Sequence, residues 1–451
     1  MCIRDSPTKS LNNSKRFFTP IVASSLALFL GATLAKANTI SCDNSTQPSL
    51  CYNGADTGLS DIKFETSGNT FTPQHTNGAT TTIENLEFQF HGGASNNPTG
   101  SWDSSKNTYI IKSVTGGDEI FTLNGNGKGM KMGESGDKTL TIYFAESDSD
   151  NRRVFTLNLG GVDSNTYAFE GKLVVQPGKG WANGDEAHNG KFVGVFGGKG
   201  VKGDIAMNKK QATVGNASGF RATLDFENGA NLEGNLSAEA GITTATFQSG
   251  KITGNVTAKG QSTGATPTLN VVFERQGEIG GHVSTTRSGW AAQSNITFKQ
   301  GGTIQKGVMA SGTTNTVTAV AGTLTIGSPN RATSSIVANG GHTATNTISA
   351  QDLNIYSNVI TSNNKNSSNG NSITATNNLV LRADEIKVDF SGSGTNANKK
   401  GNTFTVTESA NITATTIKAT YGHNNIETKS LTLTAGTIET NGTSSLSLIH
   451  I

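Results

Sequence analysis

Three short segments contain residue types that could support nucleophilic catalysis or phosphate binding. Residues 133–137 read G-E-S-G-D and place a serine beside a glycine, but they lack the G-x-S-x-G spacing of a nucleophile elbow. Residues 125–129 and 197–200 combine glycine with lysine, yet neither has the spacing of a phosphate-binding loop. No strand–helix–strand pattern follows either of them. We therefore predict that residues 125–129 and 197–200 are turns, that the serine segment is a chance match in a chain rich in Gly and Ser, and that the protein is not an enzyme.

Residues that bind metals are present but scattered. The histidines occur singly, without the H-x-x-x-H pairing of a zinc site. The acidic run at residues 146–150 alternates like the start of a calcium loop, but it lacks the required glycine and distal glutamate. The sequence therefore predicts no metal and no other cofactor.

The composition excludes several classes of protein. The chain has 451 residues, of which 33% are hydrophobic, 15% are charged and 55 are glycine, and its formal net charge is +2. Both the apolar and the charged fractions are low for a globular enzyme, which disfavours a large helical or α/β domain. A near-neutral charge also argues against a nucleic-acid partner, which needs a concentrated basic face. Extended β structure and low-complexity coil are the two options that this composition leaves open.

The two ends have features unrelated to a folded domain. Residues 1–6 and 446–451 can be translated from opposite strands of one oligonucleotide, which resembles a transposon-end adapter used in sequencing libraries. We therefore expect adapter-derived residues at both ends, and a native protein that continues past residue 445. Residues 7–37 combine basic residues, a short apolar stretch and an A-x-A site at Ala35 and Ala37. These are the three parts of a secretory signal peptide, so we expect export, with cleavage after Ala37.

Two cysteines follow the predicted cleavage site. Cys42 and Cys51 are close in sequence, and an exported chain is exposed to oxidising conditions. We expect them to form one short-loop disulfide near the mature N-terminus.

A repeat begins at about residue 190. Each copy consists of a phenylalanine, a glycine a few residues later, an aliphatic residue, usually a second glycine, and a second aliphatic residue. The phenylalanines are 30, 21, 26 and 25 residues apart. They are Phe196, Phe226, Phe247, Phe273 and Phe298, and the clearest later elements of the copies are Gly229, Gly250, Ile252, Gly254 and Val256.

This repeat predicts a β-solenoid. Periods of 20–50 residues are typical of stacked repeats, and a glycine-rich period this short does not suit helix pairs. Aliphatic residues alternate with polar ones, which indicates strands with one buried face, and glycine permits a positive φ where the chain turns. We predict an all-β fold, a right-handed parallel β-helix over residues 186–445 with an irregular β N-terminal cap. Residues 38–185 are either that cap or the first irregular coils, and a separate small β domain is the competing interpretation.

A second form of the repeat follows residue 345. Aliphatic residues largely replace phenylalanine there, and the stretch from Phe404 to Ile417 fits the pattern less cleanly. Its copies are Ile348, Leu353, Ile355 and Val359; Ile373, Leu379, Leu381, Ile386 and Val388; and Ile426, Leu431, Leu433 and Ile438.

Residues 247–258, F-Q-S-G-K-I-T-G-N-V-T-A, together with the signal sequence and the Gly/Asn/Thr/Ser-rich β region, resemble autotransporter passenger domains. The repeat region is most similar to that of vacuolating-cytotoxin-like autotransporters of Gram-negative bacteria. The resemblance covers about residues 190–440 and implies a β-helical passenger attached to a C-terminal outer-membrane β-barrel, which this fragment does not contain. It also implies display at the outer membrane and cell surface, or secretion.

Three functions are compatible with this resemblance. The first is a structural or adhesive rod that binds a receptor on host-cell or bacterial surfaces. The second is a vacuolating or pore-forming toxin, although the apolar, Gly-rich segment that such toxins insert into membranes is not evident after Ala37. The third is a carbohydrate-active β-helix enzyme, which the mainly Thr, Ser and Asn side chains of the strands disfavour.

Overall fold

The computed structural model describes most of the chain between residues 64 and 450. The chain divides into two compact units, residues 1–37 and residues 38–451, and every described residue belongs to the second. Ala35, Ala37, Cys42 and Cys51 lie outside the described residues, so the cleavage site and the disulfide stay predictions. The described residues are 64–67, 70–73, 80–83, 85–90, 99–103, 105, 108–112, 119–144, 153–177, 190–208, 219–260, 266–289, 291–329, 334–340, 344–364, 369–390, 400–441 and 445–450.

The described chain is an all-β parallel β-helix. Its coils have three strand positions, which form three faces named A, B and C, and each strand pairs in parallel with the equivalent strand of the next coil. Thirteen such coils can be traced in the described residues, from strand β2 to strand β36. Neighbouring coils are therefore about 4.8 Å apart, the spacing of hydrogen-bonded strands.

Each face is a ladder of short strands in the first coils. Face A contains β2 (Thr70–Pro73), β7 (Glu119–Asn124), β10 (Arg153–Leu159), β13 (Lys191–Phe196), β16 (Arg221–Phe226), β19 (Ile242–Phe247), β22 (Thr268–Phe273), β25 (Gln293–Phe298), β28 (Thr314–Ala319), β31 (Thr345–Ala350) and β33 (Asn369–Ala375). Face B contains β3 (Thr80–Ile83), β8 (Gly129–Met132), β11 (Phe169–Glu170), β14 (Gly200–Lys202), β17 (Asn231–Glu233), β20 (Gly250–Ile252), β23 (Gly277–Ile279), β26 (Gly302–Ile304) and β29 (Thr323–Ile326). Face C contains β4 (Asn85–Phe90), β9 (Thr139–Phe144), β12 (Lys172–Gln176), β15 (Ile205–Met207), β18 (Leu236–Ala238), β21 (Val256–Lys259), β24 (His282–Thr286), β27 (Gly307–Ser311) and β30 (Ser335–Gly340).

The later coils use longer strands that bend around the corners. These strands are β32 (Asp352–Asn364) and β34 (Asn378–Asp389), which cover faces B and C, and β35 (Lys400–Thr420) and β36 (His423–Asn441), which cover all three. The last strand, β37 (Ser445–His450), pairs in parallel with the first part of β36.

Antiparallel strands cover the N-terminal edge of this solenoid. Strand β1 (Phe64–Ser67) pairs antiparallel with β2, and β5 (Thr99–Asp103) pairs antiparallel with β6 (Thr108–Lys112), which itself lies beside β4. Such strands protect a sheet edge from pairing with another chain. The parallel ladders reach back to Thr70, and β10 on face A pairs directly with β13, so strands on both sides of the predicted boundary at residue 186 belong to one ladder.

Alternation of side chains explains why these segments form coils. In β19, β22 and β25 every second side chain is buried, and the residues between them, mostly Thr, Asn and Gln, face outward. β-Branched residues suit such half-buried strands. One coil alone cannot bury its inward side chains, so stacking of neighbouring coils creates the core.

The core contains a stack of phenylalanine rings at the end of face A. The rings of Phe196, Phe226, Phe247, Phe273 and Phe298 are fully buried and lie in register in successive coils. Their ring centroids are 5.2, 4.1, 5.0 and 4.9 Å apart along the stack. These distances are typical of favourable aromatic pairs.

The glycine that follows each phenylalanine serves two different purposes. Gly229 has a φ of +86°, which matches the predicted left-handed turn. Gly277 does not have a positive φ, and there the prediction is wrong. A Cβ at Gly277 would collide with the ring of Phe273, so that position needs a small residue because of the aromatic stack.

The aliphatic coils after residue 345 are also in register. Phe404 lies between Ile373 and Ile426, so this coil fits the ladder as well as its neighbours do. Val359 is only half-buried, and it is Ile360 that occupies the core column with Ile386. The polar residues at the corner before Val359 shift the alternation by one residue, which the sequence pattern does not reveal.

A second buried column consists of asparagine side chains inside face A. The Nδ2 of each of the first four asparagines donates a hydrogen bond to the Oδ1 of the asparagine in the next coil, over distances of 2.9, 2.9, 2.8 and 2.9 Å. Each Nδ2 also donates to a backbone carbonyl oxygen, such as that of Val337 for Asn346. We name this column the asparagine ladder, and its members are Asn315, Asn346, Asn371, Asn402 and Asn424.

The first rung of the asparagine ladder has an unused acceptor. Asn315 Oδ1 is buried without a hydrogen-bond partner among the described residues, and so is the hydroxyl of Ser294, which is in register with it in the preceding coil. We expect Ser294→Asn to stabilise the protein by about 1 kcal/mol, because the new amide would donate to Asn315 Oδ1. Chemical denaturation of this variant and of Ser294→Asp provides the test. Asp has the same shape without the donor, so stabilisation by both substitutions would contradict the explanation.

Among the described residues, none forms a helix that could span a membrane.

Candidate binding surface

The predicted repeat residues belong to the core or the corners of the solenoid. The five stacked phenylalanines, Ile252 and Val256 are fully buried. Gly229 and Gly254 lie at corners, and Gly250 is the first residue of β20. These residues shape the coils, so the binding surface has to be sought among outward side chains.

The short motifs considered in the sequence lie at turns. Residues 133–137 connect β8 to β9, with positive φ at Gly133 and Gly136. The Ser135 side chain is exposed, and Asp137 pairs with Lys138 at 3.7 Å. Residues 125–129 and 197–200 turn the chain from face A to face B. Within the described residues, no group of three or more His, Cys, Asp or Glu side chains is arranged to hold a metal ion.

Two columns of outward side chains on face A are free of charge over seven successive coils, and all of them except Val272 are polar. In each coil two outward side chains flank a buried one, and the side chains are half-exposed and in register from coil to coil. We name this surface the threonine face. Its first column is Thr244, Asn270, Asn295, Thr316, Thr347, Ser372 and Thr403, and its second is Thr246, Val272, Thr297, Thr318, Ser349, Thr374 and Thr405.

The regular spacing of the threonine face follows from the strands. Columns on alternate residues are about 6.6 Å apart, and coils are about 4.8 Å apart, so the array extends for about 30 Å along the solenoid. Some neighbours bond to each other, as where Asn295 Nδ2 donates to Asn270 Oδ1 at 2.9 Å. Charged residues occur in the second column just beyond the array, at Asp225 and Glu427. Burial, followed by the charge of Glu227, raises the pKa of Asp225.

Other parts of the surface contain charged pairs that join neighbouring coils. Lys299 and Glu274 lie 2.5 Å apart at the corner after face A, and Lys418 and Glu439 lie 3.0 Å apart on face C. The hydrogen bond from Lys418 to Glu439 raises the pKa of Lys418. Exposed pairs of this kind contribute about 0–1 kcal/mol each, so they keep charges neutralised more than they stabilise the coils.

A tyrosine anchors a similar group near the N-terminal coils. The Tyr167 hydroxyl donates to Glu233 at 2.8 Å, and the amines of Lys199 and Lys202 lie 5.4 and 5.5 Å from the centre of its ring. Burial and then the hydrogen bond to Glu233 raise the pKa of Tyr167. These four side chains contact one another across three coils, so their polar groups already have partners within the protein.

A cleft of about 460 Å³ opens at the corner between faces B and C. Tyr356, Arg382 and Thr413 line it from successive coils and are in register, and Asp384 is part of the same lining. Tyr356 is half-buried, whereas Arg382 and Asp384 are exposed. We name this site the Tyr356 cleft.

Unequal corners create the Tyr356 cleft. One coil needs residues 327–334 to pass from face B to face C, whereas the next coil needs only residues 356–358. Gly327, with a φ of +83°, begins the longer corner, and Ser328 and Pro329 next to it form one wall of the cleft. The short corners form the floor, where Ser357 is buried and its hydroxyl donates to the carbonyl oxygens of Ser334 and Val359 at 3.1 and 2.9 Å.

The Tyr356 cleft contains two charged side chains, Arg382 and Asp384. In the part of the chain that the structure describes, neither Arg382 nor Asp384 forms a hydrogen bond or an ion pair. By contrast, Lys387 and Asp389 on the adjacent face pair at 3.5 Å. The cleft therefore holds one unpaired cation and one unpaired anion beside an aromatic ring.

The side chain of His282 is partly buried at the start of β24. Its Nδ1 is buried with no hydrogen-bond partner among the described residues, and burial followed by the charge of Lys306 lowers its pKa. The backbone N–H of His282 donates to Asn255 Oδ1, and that of Asn255 donates to Asn235 Oδ1, each at 2.8 Å. The histidine therefore stands at a position where earlier coils have asparagine.

We expect protonation of His282 to favour the unfolded chain. The pKa of His282 in the folded protein is lower than its ordinary value of about 6.5, so the full contribution of the neutral side chain to the free energy of unfolding is present above that pH. It is lost as the pH falls from there toward the folded pKa. The measurement is denaturant unfolding at pH 7.5 and pH 5, for the wild type and for His282→Asn. The substitution should reduce the loss of stability at pH 5, and an identical loss in both proteins would refute this role.

Sequence reasoning missed two groups of residues. The asparagine ladder has a signal, since each member is two residues before a buried aliphatic or aromatic residue, as in Asn346 and Ile348. Polar residues of a strand usually face outward, so the alternation of residue types does not predict that these asparagines are buried. The Tyr356 cleft has no comparable signal, because it depends on which residues of separate coils become neighbours.

Comparisons with protein-family models, curated proteins and solved structures find no match to this chain.

Proposed function

We propose that this protein is an autotransporter passenger, displayed at the cell surface or secreted, that acts as a structural and adhesive rod. In this proposal the threonine face binds host or bacterial surfaces. The observation that carries it is the charge-free array on face A, in which every side chain except Val272 has a hydroxyl or amide group and which is in register over seven coils.

The chemistry of the threonine face suits an adhesive surface. Hydroxyl and amide groups both donate and accept hydrogen bonds, and no charge has to be stripped of water when a neutral polar surface binds. A single such bond contributes only about 0.5–1.5 kcal/mol. Repetition along a rigid array allows many weak bonds to form together, which is the basis of avidity.

The autotransporter part of the proposal rests on the sequence. Residues 7–37 have the features of an export signal, and residues 190–440 resemble passenger repeats. We expect the genomic DNA that follows codon 445 to encode an outer-membrane β-barrel in the same reading frame. Sequencing the locus tests this expectation, and a different downstream domain would contradict it.

Charge substitutions on two faces test the adhesive surface. We expect Thr316→Lys combined with Thr347→Lys to reduce binding of the purified chain to cultured epithelial cells at least fivefold. Binding would bury the two new lysine charges in the interface, and removing water from a charge is unfavourable. The matched control is Thr303→Lys combined with Thr325→Lys, which places the same charges on adjacent coils of face B. The control should bind like the wild type.

The result separates the proposal from its alternatives. Equal loss in both double variants would show that added charge, and not the threonine face, weakens binding, and it would contradict the proposed surface. Full retention of binding by the variant with lysines at 316 and 347 would do the same. Release of dye from liposomes by the wild-type chain would favour a pore-forming toxin instead.

A further inference from the structure

We propose that the Tyr356 cleft binds a neutral oligosaccharide. This inference deepens the proposed function and rests on it in one respect, because it takes glycans of host or bacterial surfaces as the source of the ligand.

The cleft combines the three kinds of group that recognise a sugar. The ring of Tyr356 offers an apolar face for the C–H surface of a pyranose and a hydroxyl for hydrogen bonding. Arg382 donates several hydrogen bonds in a fixed plane, and the Asp384 carboxylate accepts them. A sugar hydroxyl both donates and accepts, so it can bridge these two side chains.

The unpaired state of the two charges supports a ligand-binding role. Among the charged residues of nearby coils, Lys387 pairs with Asp389 and Lys418 pairs with Glu439. Within the described residues Arg382 and Asp384 have no such partner, although they line the same cleft. Hydrogen bonds to charged groups are stronger than neutral ones, so these two side chains would provide most of the polar recognition.

The charge balance favours a neutral sugar over an acidic one. Asp384 offsets the charge of Arg382 within the lining. A carboxylate or sulfate on the ligand would therefore meet one acidic residue as well as one basic residue, and it would gain no net electrostatic attraction. The volume of about 460 Å³ lies in the range of about 300–1,000 Å³ that is typical of small-ligand sites.

The lining favours binding without cleavage. Glycoside hydrolysis uses two carboxyl groups on opposite sides of the scissile bond. Among the described residues that line the cleft, Asp384 supplies the one carboxylate. We therefore expect the bound oligosaccharide to remain intact.

The test is an array of immobilised oligosaccharides probed with the purified chain. The array contains neutral hexose and N-acetylhexosamine oligosaccharides together with sialylated and sulfated versions of the same cores. We expect binding to a subset of the neutral members and weaker binding to their acidic versions. No binding to the array, or a preference for the acidic versions, would overturn the proposal.

Variants then locate the site by titration calorimetry with the strongest array ligand. Tyr356→Ala should weaken binding about tenfold or more, whereas Tyr356→Phe, which keeps the ring, should stay within about threefold. Arg382→Ala should weaken it about tenfold. Arg275→Ala is the matched control, because Arg275 is also exposed and unpaired among the described residues but lies in a distant coil. Unchanged affinity in both Tyr356→Ala and Arg382→Ala would place the ligand elsewhere and overturn the proposal.

These outcomes are distinct from failure of the proposed function. If Tyr356→Ala loses the glycan while the purified chain fails to bind cells, the cleft inference holds and the adhesive function falls. If cells are bound but no array glycan is, only the cleft inference falls.

Discussion

Replacing Asn346 with Asp is expected to lower the free energy of unfolding by about 3–5 kcal/mol at neutral pH, because it leaves a buried charge without compensation. The Asn346 side chain is buried, accepts a hydrogen bond from Asn315, and donates bonds to Asn371 and to the carbonyl oxygen of Val337. A carboxylate can accept but cannot donate. The substitution would therefore place three acceptor oxygens against one another inside the solenoid.

The pH dependence of this variant identifies the cause. The burial of the new carboxyl group should raise its pKa, so part of the lost stability should return as the pH falls and the group becomes protonated. Asn354→Asp is the matched control, because Asn354 is half-exposed on an outward position of β32. We expect it to change the unfolding free energy by less than about 0.5 kcal/mol. Chemical denaturation that found the two variants equally stable would contradict a role for the asparagine ladder.

The second large effect is expected at the centre of the phenylalanine stack. Phe247→Ala should lower the free energy of unfolding by about 3–5 kcal/mol, through lost apolar burial and the cavity that remains. The Phe247 ring is fully buried, and its centroid lies 4.1 Å from that of Phe226 and 5.0 Å from that of Phe273. Truncation of this side chain therefore removes an aromatic contact with each of the two neighbouring rings.

A variant at the end of the stack provides the comparison. Phe298 is equally buried and stacks on Phe273 at 4.9 Å, but the next residue in its column is Ala319. Phe298→Ala should therefore cost less than Phe247→Ala in the same denaturation measurement. An equal or larger loss at Phe298 would show that simple burial, and not stacking on two neighbours, determines the cost.

The fold was predictable because the repeated pattern matches the physical unit of the solenoid. The positions of Phe226, Phe247 and Phe273 in sequence correspond to positions directly above one another in the structure. Spacing alone was sufficient, since a coil with one apolar side must bury it against a similar coil. Residues before 186 lacked the phenylalanine–glycine signature, yet their strands join the same ladders, because strict alternation within each strand is enough.

The remaining details depend on local geometry that a pattern of residue types does not contain. Ile360, and not Val359, enters the core because of the corner that precedes it. Gly277 is required by the ring of Phe273 and not by its own backbone angle.

The surface could be predicted only in part. The sequence indicated that strands expose mainly Thr, Ser and Asn, but it did not show that two neighbouring columns of one face are free of charge over seven coils. Tyr356 and Arg382, which line the cleft, are 26 positions apart in the sequence and in register in adjacent coils. The cleft also depends on the different lengths of the corners at residues 327–334 and 356–358. Register between coils is therefore the information that sequence reasoning lacked.

The adhesive rod is the central claim, and equilibrium binding of the labelled wild-type chain to intact cells tests it most directly. Cultured epithelial cells and Gram-negative bacterial cells serve as the two surfaces, and dye-loaded liposomes are measured in parallel. The account predicts saturable binding to at least one kind of cell, with no release of dye. Absence of saturable binding to both, or binding accompanied by dye release, would contradict it.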